Sequence, residues 1–212
     1  WPVIYHEYFH FFLYNNFTDI PLWLAEGMAE CYGTFQAEGP EARIGGAIPA
    51  HMQWLKAHPL MPLKGLFEVT FESTDYHQRG KQETFYAQSW ALTNYLIWGA
   101  GVGGPGIGFL RDLPRGGSLA SAIAPSIANP ARLEQGLDAY LRGRKFAYNE
   151  LDLGRPPETT ARVTPVTRAE TLYRLGDLLL HTGDARLRDA ETHFREAVRV
   201  QPPFAAASAG LG

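Results

Sequence analysis

The opening run WPVIYHEYFHFFLY is apolar or aromatic at nearly every position, and after Pro2 it meets neither Gly nor Pro until Asn15-Asn16 offer a stop. Pro2 suits the first turn of a helix, so the pattern predicts a helix from about Pro2 to Tyr14. With almost nothing polar in it except His6, Glu7 and His10, it predicts a buried helix rather than an amphipathic surface one. Ile20-Pro21 opens a second helix, LWLAEGMAECYG, which Gly33 ends. The few residues between the two make a helix-loop-helix.

Residues 39 to 80 are rich in Gly, Pro and polar side chains and read mostly as connecting structure, with a short helix around His51 to His58 and a strand near Arg43 to Ile48. From Glu83 to Trp98, ETFYAQSWALTNYLIW has no breaker and sets Phe85, Ser89, Leu92 and Leu96 on one face, which predicts a long packed helix ended by Gly99. Short helices are expected over Ile107 to Leu113 and, after Asn129-Pro130, over Ala131 to Arg142. The fold class is mainly α.

Leu153 to Val166, LGRPPETTARVTPV, has too few large apolar residues to pack and reads as a linker. Beyond it, Leu175-Gly176, Gly183, Ala190, Phe194, Ala197 and Pro202 resemble the tetratricopeptide (TPR) pattern of two antiparallel helices, with two extra residues in the turn around Arg186. Leu211-Gly212 repeats Leu175-Gly176 after 36 residues, as a second repeat would. Such repeats bury their cores by stacking. The chain also begins at Trp1, without Met, five residues before His6. It therefore reads as truncated at both ends, with a domain over 1–152, a linker over 153–166 and a TPR-like hairpin over 167–212.

Apolar residues make up 45% of the 212, enough for a real core, and the net charge of −3 gives no footprint for nucleic acid. No stretch is long and apolar enough to span a membrane. The one cysteine, Cys31, excludes an internal disulfide and reads as packing. Localisation is not legible.

The chemistry sits in HEYFH. Helical positions four apart differ by about 40° in direction, so His6 and His10 project from one face and can hold one ion, with Glu7 beside them. A catalytic zinc takes three protein ligands and keeps a position for water, whose pKa it lowers to about 7, and a neighbouring carboxylate can take the proton. An unpaired Glu7 in so apolar a helix is expected to need a cation nearby or to take up a proton. The third ligand should come from a nearby helix, where Glu26 is the natural choice.

The helix PLWLAEGMAECYG after an H-E-x-x-H motif resembles the gluzincins, the group of thermolysin-like enzymes and zinc aminopeptidases, and especially the bacterial peptidase MA-like proteins in which W-L-x-E-G-x-A-E recurs and TPR repeats often follow. The resemblance covers roughly residues 1 to 150. It implies one zinc ion on His6, His10 and Glu26, with Glu7 as general base, and a β-sheet preceding Trp1. The pattern H-E-x-x-H-x-x-G-x-x-H does not fit, because Leu13 and Asn16 replace its Gly and third His. Glu30, one turn beyond Glu26, either orients a ligand histidine or is a solvated helix residue. The run FYAQSWALTNYL resembles the helix whose Tyr is the oxyanion donor in this group, which points to Tyr86, although Gln88-Ser89 replace a Lys-Gly; a core tyrosine is the competing reading, and His77 is a second candidate.

The expected function is therefore zinc-dependent hydrolysis of a peptide or protein substrate, with a protein partner on the repeats. The alternative is a non-catalytic zinc-binding scaffold whose repeats mediate protein contacts. Two further patterns carry nothing: GAGVGG (Gly99 to Gly104) matches G-x-G-x-x-G but follows a helix and runs into Pro105, and Asn16-Phe17-Thr18 is a glycosylation pattern common by chance.

Overall fold

A computed structural model describes residues 2–99, 116–143, 146–154, 164–181 and 186–212. The helix expected over Ile107 to Leu113, most of the GAGVGG run, residues 155–163 of the linker and Gly183 lie outside the described residues. The chain divides into two units, Trp1–Pro157 and Glu158–Gly212, a division that falls within the Leu153 to Val166 stretch. It is mainly helical, with one small sheet.

Helix α1 (Pro2–Asn16) runs two residues past the predicted end. Asn15 and Asn16 donate their side-chain amides to the carbonyl oxygens of Phe11 and Phe12, at 2.7 Å each, so the pair that should stop the helix caps its last turn from within. The prediction of burial was wrong. Only Phe9 and Leu13 are buried, while Val3 (72%), Tyr8 (67%) and Phe11 (64%) are exposed. Tyr32 stacks on Phe9, with ring centroids 3.7 Å apart. The following turn passes through Asp19 at φ 48 and is tied down by backbone bonds from Thr18 to Gly117 and from Leu119 to Thr18, both 3.0 Å.

Helix α2 (Leu22–Gly33) lies antiparallel to α1 and is buried over most of its length. Strands β1 (Gln36–Glu38) and β2 (Glu41–Ile44) form a hairpin through Gly39 (φ 60), and β3 (Asn149–Asp152) adds to β2, all antiparallel. The strand expected over Arg43 to Ile48 thus sits earlier. It stops at Ile44 because Gly45 turns to φ 86, and a Cβ there would meet the Trp98 ring at 3.0 Å.

The stretch read as connecting structure holds three helices: α3 (Pro49–Ala57), close to the expected one, and the unpredicted α4 (Leu63–Glu68) and α5 (Thr74–His77). These last two are too short for a periodicity to register, and Gly65 sits inside α4. Helix α6 (Lys81–Trp98) matches the prediction in extent but is buried all round between Thr84 and Ile97, not on one face. Two of its interior polar side chains are paired: the Gln88 side chain accepts from Met61 N and donates to Met61 O, both at 2.7 Å, and Asn94 donates to Gly45 O at 2.6 Å, while the buried Ser89 and Thr93 hydroxyls have no partner among the described residues. Helices α7 (Leu119–Ile127) and α8 (Pro130–Gly143) close the first unit. Ser118 caps the unpredicted α7, and α8 matches Ala131 to Arg142 to within a residue at each end.

In the second unit α9 (Arg168–Leu180) and α10 (Leu187–Val200) form an antiparallel hairpin, followed by α11 (Ala205–Ala209). Phe194 fills the space between them. A Cβ on Gly176 would meet its ring at 2.8 Å and one on Gly210 at 2.7 Å, so both glycines are sites of close approach. No helix among the described residues is long and apolar enough to cross a membrane.

Candidate metal centre

The site forms where α1 crosses α2. His6 and His10 share one face of α1, and Glu26 meets them from the buried side of α2. Gly27 explains why Glu26 can sit there. A Cβ on Gly27 would overlap Thr93 Oγ1 and the Ser89 carbonyl oxygen and lie 2.8 Å from the Ser89 carbonyl carbon. The Glu-Gly pair thus brings the α6 backbone against α2 at the level of the carboxylate.

Three donor atoms converge. His6 Nε2 and His10 Nε2 are 3.1 Å apart, His10 Nε2 lies 3.3 Å from Glu26 Oε2, and His6 Nε2 lies 3.4 Å from the same oxygen. Metal–ligand bonds of about 2.0–2.1 Å in tetrahedral array separate ligand atoms by about 3.3–3.4 Å. The triangle therefore has the size of three vertices of a zinc tetrahedron, and among the described residues it is the one such grouping. Its chemistry, two imidazoles and a carboxylate, also suits that ion.

Burial by itself would raise the Glu26 pKa, but hydrogen bonds from His10 and His6 outweigh it and hold the carboxyl down at about 2, from an ordinary 4.5. Burial pulls His6 down, and its hydrogen bond to Glu26, followed by the charges of Glu30, Glu26 and Glu7, more than offsets that, so its pKa is raised. Without metal, and below its raised pKa, His6 is thus an imidazolium facing the Glu26 carboxylate. A cation binding there displaces the proton.

Glu7 is exposed on α1. The desolvation penalty expected for it does not arise, which removes that argument for a nearby cation. Glu30 faces His6, its Oε1 3.8 Å from Nδ1, so it is no solvated bystander. His10 has no such neighbour, and its buried Nδ1 lacks a hydrogen-bond partner among the described residues. Tyr86 reaches the centre only through a second tyrosine: its hydroxyl is 3.0 Å from that of Tyr76, which donates to Glu26 Oε1 at 3.1 Å. Burial and then the Tyr76 hydrogen bond push the Tyr86 pKa well up, so its hydroxyl stays protonated. His77 turns away, exposed, to donate to the Phe71 carbonyl oxygen. Cys31 is buried packing, as expected.

Tyr76 and His51 are the residues that sequence reasoning missed. Tyr76 lies on the four-residue α5, in a segment with no periodic signal. His51 marked only a helix start, yet its Nε2 lies 3.1 Å from Glu30 Oε2. Comparisons with protein-family models, curated proteins and solved structures returned no match.

Proposed function

We propose that the first unit hydrolyses peptide bonds with one zinc ion held by His6, His10 and Glu26, as the gluzincin resemblance implies. The observation that carries this reading is the donor triangle with edges of 3.1, 3.3 and 3.4 Å. Three protein ligands are the number that catalytic zinc sites use, whereas structural sites use four. Bound there, zinc would supply Lewis acidity, lowering the pKa of a water and polarising a carbonyl. Glu7, next to His6 and open to solvent, takes the proton of the attacking water on its carboxylate and passes it to the leaving amine.

Tyr86 is the oxyanion donor in this reading. A carboxylate only accepts, so the Tyr76 proton is committed to Glu26 and the proton between the two hydroxyls belongs to Tyr86. A substrate carbonyl oxygen gathering negative charge competes for that proton, and the raised pKa of Tyr86 keeps it available. The second unit is read as a TPR repeat that binds a protein partner, supported by Phe194 packed against Gly176 and Gly210.

The test is zinc content followed by hydrolysis of a mixed peptide library by wild type and Glu7→Gln. Both are expected to hold one zinc, with hydrolysis by the variant reduced about 10²–10⁴-fold. Zinc retained in both with no hydrolysis by either overturns the enzyme and leaves the zinc-binding scaffold.

A further inference from the structure

We propose that His51 is a positioning residue of the metal centre, acting through Glu30 on the ligand His6. The inference rests on the zinc reading above and extends it to a residue on a third helix.

Glu30 has two carboxylate oxygens, and each faces a different histidine. Oε1 lies 3.8 Å from His6 Nδ1, and Oε2 lies 3.1 Å from His51 Nε2. The shorter contact is off the imidazole N–H direction, since Nε2 makes no hydrogen bond, so it acts as a close electrostatic contact rather than an aligned bond. His51 is itself held in place. It stands near the start of α3, mostly buried, with its ring 5.7 Å from that of the fully buried Trp90 on α6. Glu30 is more exposed, its side chain keeping 22% of its accessible surface, and an untethered glutamate there gains rotamer freedom by swinging into solvent.

His51 therefore selects the Glu30 rotamer that keeps a carboxylate opposite His6 Nδ1. With Nε2 given to the metal, Nδ1–H is the group such a carboxylate orients and makes more basic, and losing that support costs zinc sites about 10- to 100-fold in affinity. Among the described residues His10 lacks an equivalent, so the orientation of the histidine pair depends on the His6 side. The line Trp90, His51, Glu30, His6 links the buried α6 core to the proposed ligand on α1, on which only Phe9 and Leu13 are buried.

The experiment measures Zn²⁺ affinity by chelator competition on the whole chain, in wild type, His51→Leu, His51→Gln, Glu30→Ala and the double variant His51→Leu/Glu30→Ala. Thermal melts of the metal-free proteins establish folding. His51→Leu is expected to bind Zn²⁺ on the order of tenfold more weakly, and His51→Gln, which keeps a donor, to recover most of the loss. In the Glu30→Ala background, His51→Leu should change affinity less than about twofold, because a residue acting through Glu30 has nothing left to act on. A purely structural role gives losses that add, which overturns the proposal, as does unaltered affinity in His51→Leu. Should His51→Leu not fold, His51→Ala in the two backgrounds decides, and additive losses or unaltered affinity overturn the proposal there too. Wild type that binds no Zn²⁺ overturns both this inference and the zinc reading, whereas tight wild-type binding indifferent to position 51 overturns this inference alone.

Discussion

Gly27→Ala tests whether the α2–α6 contact sets the site. The added methyl has three neighbours inside van der Waals contact, the movable Thr93 hydroxyl and the immovable Ser89 carbonyl oxygen and carbonyl carbon, the last 2.8 Å away. Overpacking a well-filled contact costs about 1–3 kcal/mol, and a clash with backbone belongs at the upper end because the helices must separate. Replacing Gly by Ala inside a helix returns about 1 kcal/mol. The net expectation is a loss of about 2 kcal/mol, which for a urea slope of about 1–3 kcal/mol/M lowers the midpoint by roughly 1 M. All five tryptophans lie in the first unit, so tryptophan fluorescence follows its unfolding without interference from the second. Thr93→Ala in the same background should rescue only part of the loss, since the Ser89 carbonyl remains. A Gly27→Ala midpoint equal to wild type, or full rescue by Thr93→Ala, refutes the argument that backbone approach at Gly27 positions α6 against Glu26.

Other consequences follow from the charges and hydroxyls of the centre. The Glu26 carboxyl, at about 2 instead of 4.5, contributes about 3 kcal/mol of stability to the metal-free protein above pH 4.5, and this is lost as pH falls through 2. His6 works with the opposite sign: its raised pKa makes its contribution complete below 6.5 and lost as pH rises through that pKa. Urea midpoints of metal-free protein should therefore peak between about pH 4.5 and 6.5, a maximum that Glu26→Gln abolishes. A flat profile in wild type would contradict the imidazolium-carboxylate cluster. Tyr76→Phe removes the donor on Glu26 Oε1 and the acceptor for the Tyr86 hydroxyl, so the metal-free protein should lose about 1–3 kcal/mol in urea titration; an unchanged midpoint would show that water replaces the hydroxyl.

The grouping of His6, His10 and Glu26 was legible because helical spacing converts sequence directly into direction. His6 and His10 at i and i+4 have to share a face, and a Glu on the next helix of a tight hairpin has to lie near them. Burial was not legible in the same way. The run VIYHEYFHFFLY carries enough apolar area to be buried all round, but α1 has one packing partner among the described residues, α2, and a helix buries only the side it is offered. On α6 the spacing of Phe85, Ser89, Leu92 and Leu96 showed one packed face, whereas burial extends well beyond it, and Thr84, Gln88 and Asn94 satisfy backbone and indole groups of neighbouring segments. Tyr76 escaped because a four-residue helix has no period to detect. His51 escaped because its partner is 21 residues away in sequence, where no local rule connects them.

The two halves of the centre differ in how firmly they are held. Glu26 stands on a helix buried over nearly its whole length and locked to α6 at Gly27, so its carboxylate is fixed before any cation arrives. The histidines ride on α1, which is anchored by Phe9, Leu13 and the backbone bonds around Thr18. A metal ion held between the two helices, as proposed, would therefore stabilise mainly the α1 docking, and its binding energy would add to that of the folded state. The contacts of the two histidines with the Glu26 carboxylate do part of the same work without metal. The metal-free protein thus already keeps α1 against α2 at the proposed site, and the ordering cost of forming the site would be small compared with that of assembling it from free segments.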